Sequence, residues 1–81
     1  MVHKKKMERV VIVDKLVWNG LAFIGVKNNK DLFDLNWTVD TLIKWGYFES
    51  AKWCQEHKAD YVRGVINGFV VEGQDKVKYI S

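Results

Sequence analysis

The first apolar stretch of the chain covers residues 10–26 and is interrupted at only three positions. The interruptions are Asp14, Lys15 and Asn19. Asn19-Gly20 is the strongest turn signal in the sequence, because a type I′ hairpin turn needs a positive φ at both central residues. A two-residue loop centred there predicts an N-terminal β-hairpin with Trp18 opposite Leu21. A turn at Asp14-Lys15, which gives shorter strands, is the alternative.

Both faces of this predicted hairpin are mostly apolar, whereas a strand with one wet face should alternate. One face carries the valines, and the other carries Asp14, Leu16, Trp18, Leu21 and Phe23. A single layer of helices can cover only one side of the hairpin. We therefore expect the other side to be covered by a tail segment, a second copy of the chain or a partner.

The middle of the chain has the spacing of two or three short helices, after a polar connection over residues 27–36. Asn36 is expected to cap the first helix, and Gly46 to end it in a left-handed conformation. Asn67-Gly68 closes the last one. In the first helix one face carries Val39, Leu42 and Ile43. The residues of the second helix that are expected to face inward are Phe48, Ala51 and Cys54. In the third helix the apolar residues that repeat with helical spacing are Tyr61, Val62, Val65 and Ile66.

The last stretch, residues 69–81, predicts a C-terminal β-hairpin that turns around Gly73 to Asp75. Helices grouped between two hairpins indicate an α+β fold, with the helices packed on one face of an antiparallel sheet. Residues 8–81 then form a single small domain, and residues 1–7 form a flexible basic tail.

The composition is that of a small globular protein. The 81 residues are 48% apolar and 28% charged, and they include no proline. No apolar run approaches the roughly 18 residues of a membrane span, and no signal peptide is recognisable. A single cysteine, Cys54, permits no internal disulfide. These features predict a soluble, cytoplasmic protein.

The basic charge is concentrated at one point of the sequence. Thirteen Lys and Arg residues exceed ten Asp and Glu residues by three, and Lys4, Lys5 and Lys6 account for the difference. The rest of the chain is neutral overall, whereas a nucleic-acid-binding domain usually spreads basic residues over a face or groove. The three lysines can still add weak, salt-sensitive contacts to phosphates.

No motif for catalysis or cofactor binding is present. Cys54 and His57 share a helix face at i and i+3, but a structural zinc site needs four ligands, so packing is the preferred interpretation of Cys54. The glycines do not form a phosphate-binding loop. We therefore predict no enzyme activity, no metal and no cofactor.

Aromatic residues are unusually frequent, with four Trp, three Tyr and four Phe. A core of this size cannot enclose all of them, and Trp53 is expected to be partly exposed beside Lys52. Exposed aromatic residues serve protein interfaces or base stacking, although they can also simply complete a small core. Asp14 is either an edge charge that prevents aggregation or a polar anchor in a binding surface.

The C-terminal third, residues 52–80, resembles the ends of certain uncharacterised small proteins of Gram-positive phages and prophages. The positions that match that pattern are Trp53, Tyr61, Arg63, Gly68, Phe69, Val71, Glu72 and Tyr79. Gly64-Val65 departs from it, since the pattern has a small residue followed by Trp there. The resemblance implies a phage or mobile-element origin and brings no known activity with it.

The sequence thus predicts a small accessory protein that acts by binding another protein, for example as an inhibitor of a host or defence factor, or that forms a homo-oligomer. The expected contact residues are Asp14, Leu16, Trp18, Leu21, Phe23 and Trp53. The alternative is a nucleic-acid-binding protein that uses Lys4, Lys5, Lys6 and exposed aromatic residues.

Overall fold

The computed structural model describes residues 9–27 and 32–80, so the predicted basic tail with Lys4, Lys5 and Lys6 lies outside the described residues. The described residues form three short strands and four helices. In chain order these are β1 (Val11–Val13), α1 (Lys15–Lys27), α2 (Leu35–Lys44), α3 (Phe48–Glu56), α4 (Lys58–Asn67), β2 (Phe69–Val71) and β3 (Val77–Lys78).

The sheet has the strand order β1-β2-β3, and its first pair is parallel. Val11 lies opposite Phe69 and Val13 opposite Val71, while β2 and β3 run antiparallel over two residue pairs. The predicted fold, an antiparallel sheet built from two hairpins, is therefore wrong. The structure is mostly helical. Its parallel strand pair joins β1, which precedes all four helices in the chain, to β2, which follows them.

The predicted N-terminal hairpin is replaced by β1 and α1. Asp14 ends the strand and caps the helix, because its Oδ1 accepts a hydrogen bond from the backbone N–H of Val17 at 2.8 Å. Val17, Leu21 and Ile24 are buried at i, i+4 and i+7, which is one face of a helix. Asn19-Gly20 lies inside this helix and makes no turn.

Space, and not backbone conformation, explains the glycine at position 20, because the φ of Gly20 is not positive. A Cβ at this position would overlap the hydroxyl and Cβ of Ser50 on α3. The close approach lets the buried Ser50 hydroxyl contact two carbonyl oxygens of α1, that of Val17 at 2.7 Å and that of Leu16 at 3.2 Å. This contact fixes α3 against α1.

The other three helices lie close to the predicted ones. Asp34 caps α2 instead of Asn36, since its Oδ1 accepts from the N–H of Trp37 at 3.2 Å. Gly46 and Gly68 have the positive φ values expected of helix stops, 86° and 101°. Phe48, which was predicted to face inward, is exposed. Three residues of the predicted apolar helix positions are exposed as well: Ile43, Val62 and Ile66.

The core is centred on Phe69, which is fully buried in β2. The rings of Trp18 and Trp53 pack against it, with ring centroids 5.9 and 6.3 Å away. Gly64 of α4 lies against the same ring so closely that a Cβ there would overlap it. One apolar core therefore joins the sheet to α1, α3 and α4.

A buried polar group completes the core. The Tyr61 hydroxyl donates a hydrogen bond to the carbonyl oxygen of Leu32 at 2.5 Å. The Thr38 hydroxyl lies 3.2 Å from the Tyr61 hydroxyl. Because the tyrosine proton points to Leu32, Thr38 is the donor in the second bond. Burial raises the pKa of Tyr61 from 10.0 to about 12.

Candidate protein-binding surface

An apolar groove runs between the start of α1 and the turn that joins α2 to α3. It is open to solvent and has a volume of about 320 Å³. Its lining residues are Leu16, Asn19, Gly46, Tyr47, Phe48 and Glu49. We call it the α1–α3 groove. Leu16 and Phe48 are the most exposed apolar side chains in it, at 62% and 64%.

A cluster of three aromatic rings continues this groove along α1. Phe23 stacks on Tyr47 with ring centroids 4.9 Å apart and contacts Trp45 at 5.7 Å. The Lys27 ammonium lies 4.5 Å from the centre of the Trp45 ring, within cation–π range. Trp45 is still 50% exposed. Lys27 therefore makes the end of the groove at this aromatic cluster basic.

An acidic notch adjoins the groove beside the start of α1. It measures about 180 Å³, and its lining residues are Asp14, Val17, Glu49, Lys52, Trp53 and Glu56. Glu49 lines both the notch and the α1–α3 groove. Three carboxylates against one ammonium leave the notch with a formal charge of −2, so this end is acidic.

Helix α1 sets the distance between the two ends. Leu16, Phe23 and Lys27 are spaced i, i+7 and i+11, which places them on one stripe of the helix. At 1.5 Å per residue, Leu16 and Lys27 are about 16 Å apart. The surface is therefore an apolar strip of about three helical turns, acidic beside Leu16 and basic beside Phe23.

The exposed apolar area of this strip is substantial for a small protein. An aromatic side chain has an area of about 150–250 Å², so the exposed parts of Trp45 and Phe48 alone amount to roughly 170–290 Å². Leu16 adds to this area. Contiguous apolar patches of about 300–600 Å² on monomeric proteins are often functional. The strip therefore has the dimensions of a binding site.

The residues predicted to contact a partner are divided between this surface and the core. Leu16 and Phe23 belong to the strip, while Asp14 and Trp53 line the acidic notch. Leu21 is completely buried and lies in the core.

Trp18 is half-buried against Phe69, and the Lys78 ammonium lies 5.9 Å from its ring centre. The predicted hairpin grouped five of these residues, all but Trp53, whereas the helix turns them to different sides.

Trp45, Phe48 and Lys27 are the main surface residues that the sequence prediction did not include. Trp45, Tyr47 and Phe48 surround Gly46 where α2 and α3 meet, and of these three only Tyr47 packs against the core. The concentration of aromatic residues around a helix-ending glycine was the available signal, because a short turn cannot bury all of them.

Cys54 and His57 do not form a reactive pair. Cys54 is fully buried, and burial raises its pKa from 9.0 to about 12, which keeps the thiol protonated and unreactive. The His57 ring stacks on Trp53 with centroids 5.2 Å apart. Residues 9–27 and 32–80 contain no group of three or more His, Cys, Asp and Glu side chains that could hold a metal ion.

Comparison with protein families, with curated proteins and with solved structures finds no match to this chain. Across the described part of the chain, no helix combines the length and the apolar character that crossing a membrane requires.

Proposed function

We propose that this protein is a small, non-catalytic binding protein that recognises another protein through the α1–α3 groove. The observation that carries the proposal is the exposure of Leu16 and Phe48 in the α1–α3 groove and of Trp45 in the adjoining aromatic cluster. Exposed apolar and aromatic side chains that lie together are the usual anchors of protein interfaces. Burying them on a partner gains free energy in proportion to the apolar area removed from water.

The two charged ends define the chemistry of a suitable partner. A segment that presents an apolar side chain to the groove and a basic side chain to the acidic notch would complement both. Trp53 also lines this notch. An acidic group at the other end would meet Lys27. The charges fix the orientation of the bound segment, since the reverse orientation places like charges together.

The resemblance of residues 52–80 to phage and prophage proteins supports a role in phage or mobile-element biology. In that setting we propose that the protein acts in the cytoplasm as an accessory factor, for example an inhibitor that docks on a host or defence protein. Inhibition by docking needs a binding surface and no catalytic group, which agrees with the chemistry of the groove.

A photo-crosslinking amino acid in place of Phe48 tests the proposal directly. In host cells, we expect ultraviolet light to join this position to one major protein. The same amino acid at Ile66 on α4 is the control, because Ile66 is equally exposed (63%) and lines neither the groove nor the notch. Equal labelling from both positions contradicts the proposal.

Binding of the purified crosslinked protein then completes the test. We expect Leu16→Glu to weaken its affinity at least ~10-fold, which corresponds to about 1.4 kcal/mol, while Ile66→Glu leaves it unchanged. Glutamate in the first turn of α1 is compatible with the helix dipole, so Leu16→Glu should remain folded. Equal affinity of wild-type protein and Leu16→Glu contradicts the proposal.

Nucleic-acid binding remains the alternative function, and it depends on Lys4, Lys5 and Lys6. A fluorescence titration with single- and double-stranded DNA at low salt distinguishes it. Binding that disappears with rising salt and in a variant lacking residues 1–6 would favour this alternative.

A further inference from the structure

We propose that a second copy of this chain occupies the α1–α3 groove, so that the free protein forms a two-fold symmetric dimer. The inference rests on the proposed function in one respect, since both require the groove to be a docking surface. It goes further by naming an occupant that carries the required chemistry.

The charges of the strip are complementary to those of its own copy. One end carries Lys27 over Trp45, and the other end carries Glu49 beside the acidic notch. When two strips meet in antiparallel orientation, Lys27 of each copy faces Glu49 of the other. A two-fold interface requires this reciprocity, because each surface must be its own complement. Parallel orientation brings like charges together and is disfavoured.

The apolar residues of the strip lie between these two ends. Leu16 and Phe48 flank the groove, and Phe23 lies further along the same helix stripe. An antiparallel pair therefore places the apolar middle of one copy on the apolar middle of the other. Leu16 of each copy then lies near the aromatic cluster of the other copy, where its exposed side chain is removed from water.

The size of the surface predicts a weak dimer. Stable dimers bury about 800 Å² or more on each partner, and the exposed apolar strip provides about half of that at most. The association is therefore concentration-dependent. It covers the groove when the protein is abundant and releases it to a tighter-binding protein partner. Self-association and partner binding thus compete for the same residues.

Sedimentation velocity over a wide concentration range tests the dimer, and charge reversal tests its geometry. We expect reversible dimerisation of the wild-type protein and at least ~10-fold weaker association of Lys27→Glu and Glu49→Lys, since each variant sets like charges against each other across the interface. The double variant Lys27→Glu/Glu49→Lys restores opposite charges and is expected to dimerise like the wild-type protein.

Mixing the two single variants gives the most specific result. A chain with Glu at both positions and a chain with Lys at both positions complement each other at both ends. We therefore expect an equimolar mixture of Lys27→Glu and Glu49→Lys to form heterodimers at concentrations where each variant alone is monomeric. An interface that contains neither position predicts no preference for heterodimers.

Controls separate the interface from folding and from net charge. Lys76→Glu changes the net charge as Lys27→Glu does, but Lys76 lies between β2 and β3, outside the groove. It should dimerise normally. Both reversals oppose the helix dipole, Lys27→Glu at the end of α1 and Glu49→Lys at the start of α3. The double variant should therefore be the least stable and still dimerise, which excludes instability as the cause of dissociation.

Failure of the dimer and failure of the proposed function give different results. A wild-type protein that stays monomeric at all accessible concentrations, or a variant mixture that stays monomeric, overturns the dimer. A Phe48 crosslink to a host protein would still support the proposed function in that case. Conversely, a dimer whose Phe48 position crosslinks only to its own copy supports this inference and contradicts partner binding.

Discussion

At the scale of single residues, Asp14 shows how one side chain can determine the local fold. Its carboxylate accepts the N–H of Val17, which has no partner within the first turn of α1. The sequence pattern indicated a charge on an edge strand or an anchor in a binding surface. Asp14 lines the acidic notch and also lies at the boundary between β1 and α1, where Asp is a preferred cap.

Asp14→Ala is expected to lower the free energy of unfolding by about 0.5–2 kcal/mol, because the α1 N-terminus loses its cap. Asp14→Asn should retain most of the stability, since its amide oxygen accepts the same bond. Urea unfolding followed by tryptophan fluorescence measures both. Asp75→Ala, in the connection between β2 and β3, is the control for a lost surface carboxylate. An Asp14→Ala protein as stable as Asp75→Ala would contradict the capping role.

At the scale of elements, the helices differ in how far the sequence predicts them. The spacing of Val39 and Leu42, and of Tyr61 and Val65, predicts α2 and α4 because each has one buried stripe. For α1 the local signals conflict. Asn19-Gly20 favours a turn, whereas the spacing of buried residues favours a helix. The helix forms because α3 packs closely against Gly20, and this contact leaves no local signal in the sequence.

Gly20→Ala is expected to destabilise the protein by about 1–3 kcal/mol, because the new methyl group overlaps Ser50. Intrinsic propensity has the opposite sign, since alanine favours a helix over glycine by about 1 kcal/mol. Asn19→Ala, one position earlier in the same helix, should therefore be neutral or slightly stabilising. Thermal and urea unfolding compare the two variants.

In the double variant Gly20→Ala/Ser50→Gly, removal of the Ser50 side chain from α3 makes room for the new methyl group on α1. We expect it to recover part of the stability lost in Gly20→Ala, beyond what the two single changes would give if they were independent. If the double variant shows only the sum of the two losses, the contact between α1 and α3 is not the reason for glycine at position 20.

At the scale of the whole molecule, the parallel pair β1–β2 joins the two ends of the helical part. Val11 donates its N–H to the Gly68 carbonyl at 3.1 Å, and Val13 accepts from the N–H of Glu72 at 2.7 Å. Neighbouring strand residues point their backbone groups in opposite directions. Ile12 between them therefore directs its N–H away from β2.

Val11→Pro removes a hydrogen bond of this strand pair, whereas Ile12→Pro does not. We expect Val11→Pro to lower the melting temperature clearly more than Ile12→Pro, since proline is tolerated in a strand where its missing N–H faces away from the neighbouring strand. The measurement is thermal unfolding by circular dichroism. Equal losses in both variants would contradict the parallel register.

The sequence predicts only part of the binding surface and only part of the fold, because both depend on long-range packing as well as on local patterns. Leu16 and Phe23 were predicted because they lie on the second apolar face of the predicted hairpin, which one layer of helices cannot cover. Leu21 has the same character, but the helical rotation of α1 buries it. Lys27 and Phe48 join the surface only through the packing of α1 against the turn before α3, and long-range packing leaves no periodic pattern.

The pairing of β1 with β2 also has a consequence during synthesis on the ribosome. Val11 and Val13 leave the ribosome before the helices, while Phe69 leaves after all four of them. At about 5–20 residues per second, the first strand waits several seconds for its partner. During this time the valines and the apolar face of α1 are not yet buried. Nascent chains of this protein should therefore depend on chaperones more than their short length suggests.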